Sequence, residues 1–309
     1  EATLAWPSSA LSSLVGSPMQ LRLRDEQKAC QKEFENIVAA LSNLGEVPGK
    51  LSVQDLTFES YIWAKLCVQT RAFICQTGHC MVPMIDLVNH AYGRAANAII
   101  RRIPADGAVE MASSRDIAAG EQIFICYDGA ADFLDLWQRY GFFDKSCTCH
   151  TVELAIDEAD APKWGGNQAE VLELLHGVGE RFEDAAGKCW YLCWVDVQGF
   201  EFPVMKVLRC ARLSEEEAAG CAKRELAEDD PLEGKLANPL PDEMELTVHA
   251  ALQELLRKRL DTRRKMTTEC CGPQGLVAHA VVDYEERLLS WVLKRSITWT
   301  RKARARVGE

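Results

Sequence analysis

Residues 81–93, MVPMIDLVNHAYG, form an apolar run interrupted by a carboxylate, an amide and an imidazole. Such a run is bound for a protein interior, where a polar side chain costs free energy unless something hydrogen-bonds it. Asp86, Asn89 and His90 stand where the pattern asks for Val or Leu. Whatever fold forms has to bring polar partners to the middle of an apolar segment, and no other feature of the sequence constrains it as strongly.

The chain has 309 residues, 48% hydrophobic and 26% charged, which suits a globular protein with room for two domains. Its formal charge of −11 argues against general binding to nucleic acid, which needs a basic surface to displace counterions. No stretch has the roughly 18 uninterrupted apolar residues of a membrane-spanning helix, and no signal or transit peptide is visible. The 13 cysteines are an odd number, and Cys67, Cys126 and Cys193 sit singly in apolar runs. Reduced, buried thiols in an intracellular protein are therefore expected. Cys147 and Cys149, with His150 adjacent, lack the second close pair of a structural zinc site, so no metal is expected; Cys270-Cys271 is the other exception.

Phe34, Ile37, Val38 and Leu41 share one helical face and predict a helix over 25–42. A second helix is expected from Ser52, with Asp55 as capping partner, to about Thr70, carrying Leu56, Trp63, Ala64, Cys67 and Val68 toward a core. Short segments at 98–103, 108–112 and 122–127 read as strands. DFLDLWQRYG returns to helix, with Leu134, Trp137 and Tyr140 in phase and Gly141 as its stop. Beyond 145, TVELAI and KCWYLCWV suit strands. Residues 214–245 read as an acidic, solvated, partly mobile connector, followed by helices over 246–265 and 276–295 and by a basic, solvated tail.

Three islands carry chemistry: TRAF (70–73), VPMIDLVNH (82–90) and GEQIFICYDG (120–129), with RYGF (139–142) close behind. Singly, each has an ordinary reading. Asp86 and Asn89 suit a turn, His90 a satisfied core histidine, Tyr127 a strand aromatic and Arg71 a helix C-terminus. Together, their order and spacing resemble the SET-domain methyltransferases, in particular the branch that includes the Rubisco large-subunit lysine methyltransferase. The resemblance extends back through WPSSALSSLVGSP, similar to that branch's insert, and more faintly forward to VVDYEERLLSWVL in its helical domain.

The resemblance implies S-adenosylmethionine as cofactor, with Asn89 and His90 at its nucleoside, Arg71 at its methionine end and Phe142 as an apolar wall. An amide matches adenine's mixed donor and acceptor edge, and a guanidinium fits a carboxylate. It implies Tyr127 as the catalytic tyrosine at the end of a lysine channel, with Asp86, Tyr140 and Phe73 in the substrate pocket. The polar residues of 81–93 would then line the wall between cofactor and target amine. A related branch methylates a histidine and carries a polar amide where this chain has Phe73. An imidazole needs a partner for its second nitrogen, so lysine is favoured over histidine.

The implied fold is α+β: small twisted sheets with inserted helices, closed by a pseudoknot that brings 86–90 beside Tyr127, then a mostly helical substrate-binding domain. The expected domains are 1–145, with a helical insert over 1–69, then 146–300, then a tail over 301–309. The SET domain's first strand and glycine-containing loop are not found, and the chain opens on Glu1, so it reads as an N-terminally truncated piece; a monomer is expected. The expected activity is methylation of a lysine on a non-histone protein held by the second domain. The alternatives are a protein-histidine methyltransferase and a noncatalytic binding module with a remnant SET domain.

Overall fold

The computed structural model describes residues 3–14, 17–43, 55–75, 78–102, 109–147, 149–183, 189–196, 203–222, 236–264 and 273–308. The chain divides into two units, residues 1–7 with 23–149 and residues 8–22 with 150–309.

Helix α1 (Pro18–Asn43) starts earlier than the periodicity suggests; proline tolerates the first helical turn because its missing N–H has no partner there anyway. The predicted stripe is real but half-buried. In the first unit Phe34 meets Phe58 and Tyr61, each at 5.6 Å between ring centroids. Helix α2 (Phe58–Arg71) begins later than expected. Ser52 lies outside the described residues, and Thr57 and Ser60 form the capping box, each donating a backbone N–H to the other's hydroxyl at 3.1 Å. The predicted face was also misphased: Trp63 and Val68 are 69% and 49% exposed, whereas Ile62 packs with Leu4 and Cys30, flanked by Phe58, Tyr61 and Leu66.

The strands come in two-stranded pieces. β1 (Ala72–Cys75) and β2 (Gly78–Met81) form an antiparallel hairpin. β3 (Asn89–His90) pairs in parallel with β6 (Phe124–Ile125), and β4 (Ala98–Arg102) pairs antiparallel with β5 (Val109–Ser113). Residues 122–127 thus supply a strand of only two residues, and positions 103 and 108 lie outside the described residues. Helix α3 (Phe133–Tyr140) is the predicted one. Asp132 accepts from the Leu134 and Asp135 amides at 2.8 and 2.9 Å. Gly141, at φ 81°, ends the helix in the left-handed region that glycine adopts without steric cost.

In the second unit β7 (Thr151–Asp157), β9 (Cys189–Asp196) and β8 (Glu180–Glu183) make one antiparallel sheet in that spatial order, and α4 (Gln168–Val178) leads into β8. Alternate residues Val152, Leu154 and Ile156 are buried, as are Tyr191, Cys193 and Val195, the period-two pattern of a sheet covered on one face. Helices α5 (Pro203–Cys210), α6 (Glu215–Ala222), α7 (Asp242–Arg264) and α8 (Pro273–Val307) supply the rest of its core.

The connector expected over 214–245 is therefore wrong in part, residues 223–235 lying outside the described residues. Within it Ala218, Cys221, Leu236 and Leu240 are buried, because scattered apolar residues dock between the acidic ones. Glu245 is itself buried and paired with Arg209 at 2.8 Å. The basic tail is exposed but helical to Val307, anchored by Ala303 in the interior and by Arg306 on Asp242 at 2.7 Å. Nine described cysteines are free; Cys80, however, is disulfide-bonded, and Cys126 is exposed rather than buried. Cys270-Cys271 lies outside the described residues. Among the described residues no helix is long and apolar enough to cross a membrane, and no cluster of ligands could hold a metal ion.

Candidate active site

Asn97 organises the centre of the first unit and is fully buried. Its Oδ1 accepts the Phe124 N–H at 2.8 Å, and its Nδ2 donates to the Gln122 carbonyl at 2.9 Å and to Glu121 at 3.2 Å. The amide thereby fixes residues 121–124 just ahead of β6. Glu121 is held in turn by Arg115 and the Ala118 N–H, which keep its carboxyl low, at about 2. Two residues past β6 comes Tyr127.

The parallel pair β3–β6 carries Tyr127 to the polar interruption in 81–93. The Tyr127 hydroxyl donates to the Val88 carbonyl at 2.6 Å, and its N–H donates to His90 Nδ1 at 3.0 Å. Residues nearly forty positions apart are joined as the resemblance implied. Since Nδ1 accepts, the neutral ring carries its proton on Nε2. Burial lowers the His90 pKa more than Asp144 raises it, which keeps the ring neutral. Nε2 is buried with no hydrogen-bond partner among the described residues; Asp144 Oδ2 stands 3.8 Å away.

Beside this junction opens a cavity of about 360 Å³. Arg71, Phe73, Asp86, Tyr127 and Tyr140 line it, so five of the eight candidate residues meet there. Arg71 donates to the Asp86 carbonyl at 3.1 Å, tying the end of α2 to the polar run. Among the described residues no carboxylate pairs with its guanidinium. Tyr127 and Tyr140 lie 4.8 Å apart between centroids. Burial raises both phenols' pKa values, with the neighbouring tyrosine adding to the shift at Tyr127, so both stay protonated at neutral pH.

The other three candidates lie off the cavity wall. His90 stacks edge-on with Tyr92 at 4.4 Å and meets Phe142 at 5.7 Å. Phe142 also touches Tyr127 at 6.4 Å, whereas Asn89 is exposed on β3.

Sequence reasoning missed several contributors. Asp128 and Arg139 form an ion pair at 3.1 Å in the cavity wall, and Ile100 and Val109 add an apolar side. Asp128 directly follows Tyr127, and Arg139 precedes Tyr140, so both sat inside quoted motifs. Asn97 gave no signal beyond a lone amide ahead of an apolar strand.

Residues 13–128 match the sequence model of the SET domain. Over those residues the chain is similar to the SET domain, and beyond them to the Rubisco large-subunit methyltransferases. It is 24% identical over 193 residues to the tobacco enzyme named ribulose-1,5-bisphosphate carboxylase/oxygenase large subunit N-methyltransferase, which covers 58% of this chain and 38% of that one. It is 23% identical over 225 residues to an Arabidopsis thaliana fructose-bisphosphate aldolase-lysine N-methyltransferase, covering 69% and 43%. It is 32% identical over 132 residues to a ribosomal lysine N-methyltransferase of Schizosaccharomyces pombe, covering 40% and 32%. The chain thus spans less than half the length of these relatives. In three dimensions it matches Rubisco methyltransferase bound to sinefungin and monomethyllysine with a TM-score of 0.63 at 18% identity, over 98% of this chain and 68% of that one. The likeness establishes the fold class expected from the sequence.

Proposed function

We propose that this chain is an S-adenosylmethionine-dependent protein-lysine N-methyltransferase acting on a non-histone protein, with the cavity as its target-amine channel. The observation that carries the reading is Tyr127, fixed on the Val88 carbonyl and the His90 ring beside an aromatic-lined cavity. The relatives' names support the substrate class.

The residues present fit the cofactor. Arg71 offers a guanidinium with no carboxylate partner among the described residues, suited to the methionine carboxylate. His90 presents a buried, unpartnered Nε2–H, Asn89 an exposed amide and Phe142 an apolar ring. When bound, S-adenosylmethionine supplies a methyl on a sulfonium, open to in-line displacement.

A lysine amine, with a free pKa of about 10.4, has no lone pair while charged. Walls such as Phe73, Ile85, Ile100 and Tyr140 disfavour the ammonium and so favour the reactive amine. The Tyr127 proton is committed to Val88, which leaves the phenol oxygen's lone pairs as a fixed acceptor on the cavity wall. Phe73 offers no hydrogen bond to a second ring nitrogen, which favours lysine over histidine. Residues 146–300 are taken as the substrate-holding domain, residues 1–145 as the catalytic one and 301–309 as the tail. The chain is read as monomeric and intracellular; sedimentation checks the first and fractionation the second.

The test is methyl transfer from labelled S-adenosylmethionine to a proteome lysate. Label is expected on lysine of one protein, falling about 100-fold in Tyr127→Phe, the scale of losing one preorganised polar contact. Label on histidine, unchanged by Phe73→Asn, would move the assignment to a histidine methyltransferase. No label, with no cofactor binding by calorimetry, overturns the enzyme and favours a protein-binding module.

A further inference from the structure

The two tyrosines of the cavity wall are held in different ways. The Tyr127 hydroxyl is locked on the Val88 carbonyl at 2.6 Å, whereas the Tyr140 hydroxyl makes no hydrogen bond among the described residues. The Tyr140 ring lies against Tyr127 and Phe142, at 4.8 and 6.2 Å between centroids. Aromatic pairs tolerate centroid separations from about 4.5 to 7 Å, so these contacts alone leave Tyr140 room to shift. The residues next in sequence supply a directional tie. Asp128 follows Tyr127, Arg139 precedes Tyr140, and all four line the cavity. Asp128 Oδ1 accepts the Ala130 N–H at 2.9 Å, and Oδ2 takes Arg139 Nη1 at 3.1 Å. The ion pair thus joins the end of β6 to the last turn of α3, one residue from each ring. Burial raises the Tyr140 pKa, Arg139 opposes that shift and Asp128 adds to it, so both charges are felt at the ring. The two side chains are 50% and 34% exposed, which makes the tie modest in strength and sensitive to salt.

We propose that Asp128 and Arg139 are positioning residues that hold the Tyr140 ring close to Tyr127 and so limit how many methyl groups the target amine can carry. Each added methyl needs room beside the nitrogen, and two bulky rings in the cavity wall set that room. Tyr127 is fixed by its own hydrogen bond, so the position of Tyr140 decides the width. This proposal rests on the lysine-methyltransferase reading above, which places the amine in this cavity.

The test uses the full chain with labelled S-adenosylmethionine and a proteome lysate, and resolves mono-, di- and trimethyllysine after hydrolysis. Arg139→Glu sets two carboxylates against each other, and Arg139→Gln removes the charge. Both are expected to raise the ratio of di- and trimethyllysine to monomethyllysine about two- to fivefold, the range of an exposed ion pair, with KM for S-adenosylmethionine unchanged. Arg139→Lys keeps a charge for the single contact that Nη1 makes, and is expected to restore the wild-type ratio. Salt at about 1 M, where the Debye length falls to about 3 Å, should move the wild-type ratio toward that of Arg139→Gln and leave Arg139→Gln unmoved. Magnetic resonance with ring-labelled tyrosine reads the same geometry without transfer: the Tyr127–Tyr140 cross-peak should weaken in Arg139→Glu and recover in Arg139→Lys. An unchanged cross-peak in Arg139→Glu overturns the proposal. So does a lowered Tm with an unchanged ratio, which assigns the pair to stability alone, or a wild type that yields mainly trimethyllysine. No transfer by the wild type overturns the transferase reading and with it the methyl limit, while the cross-peak still decides whether the pair positions the ring.

Discussion

Asn97→Leu should disconnect the candidate catalytic tyrosine from its scaffold without touching the cavity. The side chain is fully buried and makes three hydrogen bonds, to the Phe124 N–H, the Gln122 carbonyl and Glu121. Leucine keeps asparagine's branching but is larger, so overpacking at this buried position adds about 1–3 kcal/mol. The bond that matters most is the one to the Phe124 N–H, at about 1–3 kcal/mol for a group left unsatisfied away from water; Gln122 is exposed, so water can meet its carbonyl. Glu121 keeps Arg115 and the Ala118 N–H, and its lost bond counts for little at an exposed position. The expected cost is about 2–5 kcal/mol, concentrated at residues 121–127. Urea unfolding read by a probe in the first unit measures it; a whole-chain signal mixes two units and is not two-state. Hydrogen exchange at the Phe124 amide locates it, with protection falling by two or more orders of magnitude at about 1.4 kcal/mol each. Asn97→Asp separates the bonds: it keeps the acceptor for Phe124 but sets a carboxylate against Glu121 and the Gln122 carbonyl, and should recover stability as acid protonates it. Destabilisation below about 1 kcal/mol with unchanged Phe124 exchange would refute the idea that Asn97 positions Tyr127.

Glu245→Gln leaves the buried Arg209 guanidinium without its bidentate carboxylate at 2.8–3.2 Å, and should cost about 3–5 kcal/mol in chemical denaturation. The Arg209→Met, Glu245→Leu double variant should recover much of that loss, because two well-packed apolar side chains replace two desolvated charges. His249, buried beside Trp299 at 4.1 Å and hydrogen-bonded to Ser296 at 2.8 Å, has its pKa lowered to about 4 by burial, with Arg209 contributing. The unfolded chain, with its histidine near 6.5, binds the proton more readily than the folded one. Stability is therefore full above about pH 6.5 and declines as pH falls toward 4, by about 3 kcal/mol over that window. A His249→Gln variant should flatten the melting-temperature profile between pH 6.5 and 4 relative to the wild type, and parallel profiles would place the titration elsewhere.

The stretch 70–142 was legible because polar groups interrupt its apolar segments. Asp86 and His90 break the local pattern, and the structure shows where they go: a carboxylate in a cavity wall and a ring that takes the backbone N–H of Tyr127, whose phenol is locked on a carbonyl. The errors arose where no local rule was broken. Helix α2 satisfies a helical stripe in two phases, and only tertiary contacts with Leu4, Cys30 and Phe34 select the one through Ile62 and leave Trp63 in solvent. In 214–245 a solvated composition hid Ala218, Leu236 and Leu240, because burial of a few apolar residues suffices to dock an acidic helix. Asn97 was missed for a related reason. A single buried amide ahead of a strand has no periodicity to read, and its importance lies in partners about 25 residues away that only the folded chain brings together. The same asymmetry bears on Met84. Its exposure and positive φ are invisible in the sequence, where it looks like one more apolar residue of a core run.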